Sequence, residues 1–281
     1  MADPVHVQSG FVPVFNGELY YEVAGQGPPL LLIHAGVADC RMWDGHFEEF
    51  ARHFRVIRYD TRGYGRSRTN DTGFSNRQDI LDLLDHLDVA KAHVLGVSRG
   101  GHIAIDFTVE HPERVSALIP VSAGVGGYQH ELDGSEKSRI EMQMFDQMDE
   151  LWEQNKWEQL NEMEVQMWAD GPGQAAGRAA PHVRESVRRM NANNLRRQDG
   201  KPIPQPLDPE AIGRLAEITA PCLVIVGDLD TTGTLAMANI MVQGIPNARK
   251  LVFTGSAHML SLEQPEKFNQ EVIRFLEGSE K

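Results

Sequence analysis

Cysteine is nearly absent: Cys40 and Cys222 are all that 281 residues hold. Two thiols so far apart form neither a disulfide framework nor a paired metal spacing, and a reduced, cytoplasmic setting is the expectation. Long hydrophobic runs are missing as well. No stretch approaches the roughly 20 apolar residues that span a bilayer. The opening MADPVHVQSG lacks a basic segment followed by an apolar one, so no signal peptide is read there. Positive charge is short: 27 Lys and Arg face 40 Asp and Glu, for a net charge of −13. An acidic surface of that size repels phosphate backbones and anionic membranes, so nucleic acid and membrane are not expected partners. A small molecule is. Repeats and low-complexity tracts are also lacking, and the oligomeric state is left open.

What is present is an ordinary globular composition, 41% hydrophobic and 24% charged. Residues 11–24 read as a hairpin with its turn at Asn16-Gly17, a pair that favours positive φ. Short apolar runs follow at 30–35, 55–60, 93–98, 117–123, 222–228 and 250–256. Their length and β-branched content suit strands buried on both faces. Helix-length segments at 76–88, 100–110 and 265–277 lie between or after them. Alternation of this kind predicts an α/β fold, a mostly parallel central sheet with helices on both faces. One gap breaks the pattern. Residues 125–205 carry no strand signal, are rich in Met, Trp, Glu and Arg, and are bounded by Gly and Pro. They read as a helical cap inserted into a core made of 1–124 and 206–281.

The sharpest motif is Gly96-Val97-Ser98-Arg99-Gly100-Gly101, closing a buried strand and opening a helix. A serine on so tight a turn has its hydroxyl pushed out at the carboxyl end of the sheet, and the crowding two residues either side requires glycine there. A dinucleotide loop would need G-x-G-x-x-G, and Ser98 breaks that match. A serine hydroxyl needs a base, and on such an elbow the partners follow in the order Ser, acid, His. Of eleven histidines only His258 follows the last expected strand. The acid should lie after the strand before it, where Asp228 and Asp230 compete; Asp230 stands further out and is preferred. Two backbone N–H donors must hold an oxyanion. Arg99 supplies one, and the loop His34-Ala35-Gly36-Val37 the other, from Gly36 or Val37.

Together these residues resemble the α/β-hydrolase family, across LLLIHAG…MW (30–43), YDTRGYGRS (59–67), GVSRGG (96–101), HPERV (111–115), GDLD (227–230) and SAHML…QPEKF (256–268). The style of the motifs is similar to small carboxylesterases and to the enol-lactonase-like group. The resemblance implies Ser98 as nucleophile, Asp230 as acid, His258 as base, and Gly36 with Arg99 as oxyanion donors. Two departures stand out. The usual His-Gly is His34-Ala35 here, and position 99, often Met or Gln in relatives, is Arg. Ser at position 98 argues against dehalogenases and epoxide hydrolases, which use Asp. The expected activity is hydrolysis of a small, largely apolar ester or lactone. C–C bond hydrolysis and perhydrolysis on the same residues, and a hydrolase-like ligand receptor, are the alternatives. No cofactor or metal is expected; His34, Asp39 and His46 do not share a ligand face. In the cap, Trp152, Met167 and Trp168 are candidate substrate contacts. Arg184, Arg188, Arg189, Arg196 and Arg197 read as a solvated helix face, with Arg184 or Arg188 binding a substrate carboxylate as the sharper alternative.

Overall fold

The computed structural model describes residues 6–70, 73–129, 134–196 and 203–279. Nine strands form one sheet: β1 (Val7–Val14), β2 (Gly17–Ala24), β3 (Pro29–Ile33), β4 (Arg55–Tyr59), β5 (Arg68–Thr69), β6 (Ala92–Val97), β7 (Val115–Val121), β8 (Cys222–Gly227) and β9 (Ala248–Phe253). Their order is β1-β2-β4-β3-β6-β7-β8-β9, with β5 paired to β2. From β4 to β9 every neighbour is parallel, and the hairpin and β5 supply the antiparallel edge. The hairpin turn is displaced by one residue from the expected Asn16-Gly17. Asn16 does take a positive φ of 55°. Gly17, however, already pairs with Val14, so the turn is centred on Phe15 and Asn16. Gly17 is required for another reason: a Cβ there would lie 2.6 Å from the Arg68 carbonyl oxygen on β5.

The helices are α1 (Asp44–Ala51), α2 (Asn76–His86), α3 (Arg99–Glu110), α4 (Glu136–Glu153), α5 (Trp157–Val165), α6 (Pro181–Leu195), α7 (Thr232–Gly244), α8 (Leu260–Glu263) and α9 (Pro265–Ser279). Strand alternation sorts the core into two layers. Leu30 and Leu32 face the layer of Phe47, Phe50, Phe268 and Val272, from α1 and α9. Leu31 and Ile33 face the layer of Ile80, Leu83, Phe107 and Met241, from α2, α3 and α7. Every residue of β6 and of β8 is buried, which is why β8 reads as an unbroken apolar run and β6 as one broken only by His93. Helix starts follow side-chain capping. Ser75 Oγ accepts from Gln78 N–H at 3.3 Å, and Thr231 Oγ1 from Thr234 N–H at 3.1 Å.

Between β7 and β8 the chain leaves the sheet and forms α4, α5, a π-type turn at Gln166–Asp170, and α6. Among the described residues of 125–205, the one strand-like feature is an isolated bridge from Pro204 to Phe74. Met148, Leu160 and Met167 give this helical insertion a small core of its own. No helix is long and apolar enough to cross a membrane among the described residues.

Candidate active site

The site is built at the carboxyl ends of the strands. Ser98 follows β6 and holds φ 55° and ψ −118°, a conformation that L side chains avoid. The turn survives because its neighbours have no side chain. A Cβ on Gly96 would run into the Gly100 carbonyl and lie 2.7 Å from the Gly101 nitrogen, and one on Gly100 would lie 2.6 Å from the His34 carbonyl oxygen. The Ser98 N–H is tied to the Val121 carbonyl at 2.8 Å, and α3 begins at the next residue.

Asp230 follows β8 and is fully buried. The His258 Nδ1 donates to its Oδ1 at 2.8 Å and Oδ2 at 3.0 Å. A carboxylate only accepts, so Nδ1 carries the proton and Nε2 of the neutral ring is left as a base. The Thr231 N–H donates to Asp230 Oδ1 at 2.8 Å, and Lys137 Nζ to the Asp230 carbonyl at 2.5 Å. Asp228 has a different job: its Oδ1 accepts from the Gly255 N–H at 2.7 Å and closes the loop after β9. Trp168 covers the histidine, with ring centroids 4.6 Å apart.

Gly36 sits in a turn closed by Ala38 N–H to Ala35 carbonyl at 3.1 Å. His34 fastens this loop. Its Nε2 accepts from the Thr61 N–H at 3.0 Å while Nδ1 donates to the Ala35 carbonyl at 2.8 Å. Burial pushes its pKa down, so the ring stays neutral, as this pairing needs. A Cβ on Gly36 would be 3.7 Å from Arg99 Cβ, so these two residues are neighbours. Val37, the alternative donor, packs its side chain into the core, which leaves its backbone N–H in the same loop.

Two cavities meet at Arg99. The first, about 410 Å³, is lined by Ser98, His258, Ser122, Glu141, Phe145, Trp168 and Met237 among others. The second, about 380 Å³, is lined by Gly36, Tyr64, Arg99, Trp152, Asn191 and Asn194 among others. Trp168 and Trp152 therefore each border a cavity. Met167 does not. It is fully buried against Met148 and Leu160 inside the insertion: the helix turn that presents Trp168 to His258 aims its neighbour inward. Arg184 and Arg188, the candidates for holding a substrate carboxylate, are already engaged with carboxylates of the protein. Arg184 pairs with Asp170 and Glu162, and Arg188 with Glu162 at 2.8 Å and Glu185 at 2.7 Å. Arg197 lies outside the described residues.

Other residues carry weight that local sequence gave no sign of. Arg178 donates to the Ala169 carbonyl at 2.7 Å within the insertion and reaches out of it to the Gly255 carbonyl at 2.8 Å and to Glu263 at 2.6 Å. Glu263 in turn accepts from the Ala257 N–H at 2.8 Å, next to His258. Glu141 on α4 accepts from the Thr232 N–H at 2.9 Å, pinning α4 to the start of α7. Asp39, Cys40 and Asp60 also converge. Their groups are already engaged: Asp39 with Arg41 at 2.6 Å, and Asp60 with the Cys40 and Arg66 N–H groups at 2.8 and 2.7 Å. Burial drives the Cys40 thiol far above its ordinary range, so it stays protonated.

Residues 28–265 match the α/β hydrolase fold family. The chain belongs to that family. Among curated relatives, it is 27% identical to a 2-hydroxy-6-oxo-6-phenylhexa-2,4-dienoate hydrolase of Comamonas testosteroni, over 92% of this chain and 91% of that one. It is 29% identical to a 2-hydroxy-6-oxononadienedioate/2-hydroxy-6-oxononatrienedioate hydrolase of Paraburkholderia phymatum, over 95% of each. The solved enol-lactonase of Burkholderia xenovorans superposes with a TM-score of 0.75 at 22% identity, over 95% of this chain and 99% of that one. At that identity the likeness is one of fold. The protein is thus an α/β hydrolase.

Proposed function

We propose that this hydrolase cleaves the carboxylic ester or lactone of a small, largely apolar substrate through an acyl-enzyme, with 125–205 serving as the cap that closes the site. The observation that carries this reading is the buried Asp230–His258 pair, its free ring nitrogen belonging to the same cavity wall as a serine on a strained turn. Ser98 Oγ attacks the carbonyl carbon while its proton passes to His258 Nε2. The negative charge that develops on the carbonyl oxygen is held by the Gly36 N–H from the loop after β3 and by the Arg99 N–H at the start of α3, where the helix dipole adds to the field. As the tetrahedral adduct collapses, the C–O bond breaks and the imidazolium returns its proton to the departing oxygen. Water, deprotonated by His258, then attacks the acyl-serine, and the acid leaves. Asp230 fixes the ring tautomer and stabilises the imidazolium in both halves. Phe145, Trp168 and Met237 supply the apolar contacts.

The test is hydrolysis of 4-nitrophenyl butyrate by wild type and Ser98→Ala side by side. Turnover that vanishes in the variant, with a burst of 4-nitrophenol in the wild type, is the expected result. Equal turnover in both would sink the assignment of Ser98. A second reading rests on the curated relatives: hydrolysis of a C–C bond in a dienoate by the same residues. Incubation with 2-hydroxy-6-oxo-6-phenylhexa-2,4-dienoate separates the two, since release of benzoate at a rate above that of any ester would favour the second.

A further inference from the structure

Arg99 is the one residue whose backbone the proposed mechanism uses and whose side chain it leaves without a task. Its guanidinium is a cation with five N–H donors. Among the described residues it has no carboxylate within ion-pair distance, and its one hydrogen bond runs from Nη1 to Thr61 Oγ1 at 2.7 Å. Its Cζ lies 4.5 Å from the centre of the Tyr64 ring. Among the described residues the arginine is therefore oriented by a hydroxyl and a ring, and Asp79, on which it acts at longer range, is already bound to Arg62. Thr61, which fixes Arg99, is the residue whose N–H holds His34 and so the Gly36 loop. Among the described residues, then, this is a partly buried cation with no carboxylate in contact, in a chain of net charge −13, an unusual thing to keep unless an anion visits it.

The two cavities say which part of a substrate that anion would belong to. The proton for the leaving group comes from His258, and His258 belongs to the wall of the first cavity. The departing oxygen and its substituent must then lie there. The acyl chain runs the opposite way from the carbonyl carbon, past Gly36 and Arg99 into the second cavity. The other arginine in that wall, Arg62, is already committed to Asp79 at 2.7 Å, and Glu164 there receives the Asn191 amide at 2.5 Å. Asn194 also borders this space, and its Oδ1 has no partner among the described residues.

Resting on the serine-hydrolase reading, we propose that the Arg99 guanidinium recognises a terminal carboxylate on the acyl chain, so that the preferred substrates are monoesters or lactones of a short dicarboxylic acid. Charge-assisted hydrogen bonds of this kind are worth about a ten- to hundredfold preference over a neutral isostere. Part of that preference should weaken with added salt.

The test compares the mono-4-nitrophenyl ester of glutaric acid with its terminal carboxamide in wild type, Arg99→Met and Arg99→Lys. The quantity read is the ratio of kcat/KM for acid over amide, which cancels any general loss from disturbing the backbone beside Ser98. A wild-type ratio of about ten or more, falling to near one in Arg99→Met and partly restored in Arg99→Lys, is expected, with the change mainly in KM. A wild-type ratio near one, or a ratio that survives Arg99→Met, overturns the proposal. A binding arm is independent of turnover. The affinity of the mono-anilide of glutaric acid for Ser98→Ala, measured by calorimetry, should fall about tenfold or more in Ser98→Ala/Arg99→Met, and unchanged affinity overturns the proposal. If neither ester is hydrolysed by the wild type, the serine-hydrolase reading fails, and this arm still decides the role of Arg99.

Discussion

Replacing Asp230 by Asn keeps the shape of the site and removes the charge. In the protein, Asp230 Oδ1 accepts from both the Thr231 N–H and His258 Nδ1, each at 2.8 Å, and Oδ2 lies 3.0 Å from the same ring nitrogen. In Asp230→Asn the oxygen stays with Thr231, whose N–H needs an acceptor, so the amide NH2 takes the place of Oδ2. It then faces a ring nitrogen that already carries a proton. The ring can relieve this by moving the proton to Nε2, but Nε2 must be bare to accept from Ser98. The imidazolium formed during reaction also loses its counter-charge. A unit pair about 4 Å apart at the effective dielectric of a protein site is worth about 4 kcal/mol, or about 10³ in rate. With the tautomer penalty, kcat for a 4-nitrophenyl ester should fall by about 10³–10⁴. Circular dichroism and melting temperature report whether the fold is intact, and Asp228→Asn is the control, since that carboxylate only ties Gly255. A loss smaller than tenfold in Asp230→Asn, with the fold retained, would refute the proposed role of the pair.

Gly100→Ala should cost about 1–3 kcal/mol of stability and abolish ester turnover, because the new Cβ meets the His34 carbonyl of β3's loop at 2.6 Å; thermal melting and turnover together check it. Met167→Ala should lower stability by about 2–5 kcal/mol in urea unfolding through the cavity it leaves, while KM for small esters stays as in the wild type because the side chain touches no ligand space. The pH dependence of stability should carry a signature of His46, whose imidazole burial pushes down to about 4 from an ordinary 6.5. A folded-state pKa below the unfolded one means that the unfolded chain binds the proton first. Stability is therefore complete above about 6.5 and is lost as pH falls from there through 4, by about 3 kcal/mol in all. The difference in urea-unfolding free energy between wild type and His46→Gln, followed from pH 7.5 to 4, should shrink over that window, and a pH-independent difference would rule the effect out.

Much of the fold and part of the site could be read from the sequence because both depend on short-range patterns. Strands buried on both faces produce apolar runs with few breaks, so β6, interrupted only by His93, and β8 were recognisable without any partner in view. The elbow around Ser98 is readable because its geometry forbids side chains at Gly96 and Gly100, a demand that falls on fixed neighbours. Asp230 and His258 are 28 residues apart and could be chosen only through their order along the strand ends. The misread positions were those where direction matters more than spacing. Met167 and Trp168 are adjacent and chemically alike as pocket liners, and only the turn of the helix sends one inward and the other over His258. The hairpin slipped by one residue because Gly17 is demanded by the Arg68 carbonyl on β5 rather than by the turn.

The contacts that assemble the candidate site from these parts were invisible for a stricter reason. Arg178 joins segments about 80 residues apart, and what it binds are mostly backbone carbonyls, which every residue type offers alike. No pattern of side chains can encode such a partner. The same holds for Glu141 and the amide of Thr232. Yet these bonds hold the insertion against the loops that carry Asp230 and His258, so the shape of the first cavity depends on them. Selectivity in this protein should accordingly respond to substitutions at Arg178, which lies outside the lining of the first cavity, as strongly as to those at Glu141 and the rest of the wall, although neither position has any chemical role in the proposed reaction.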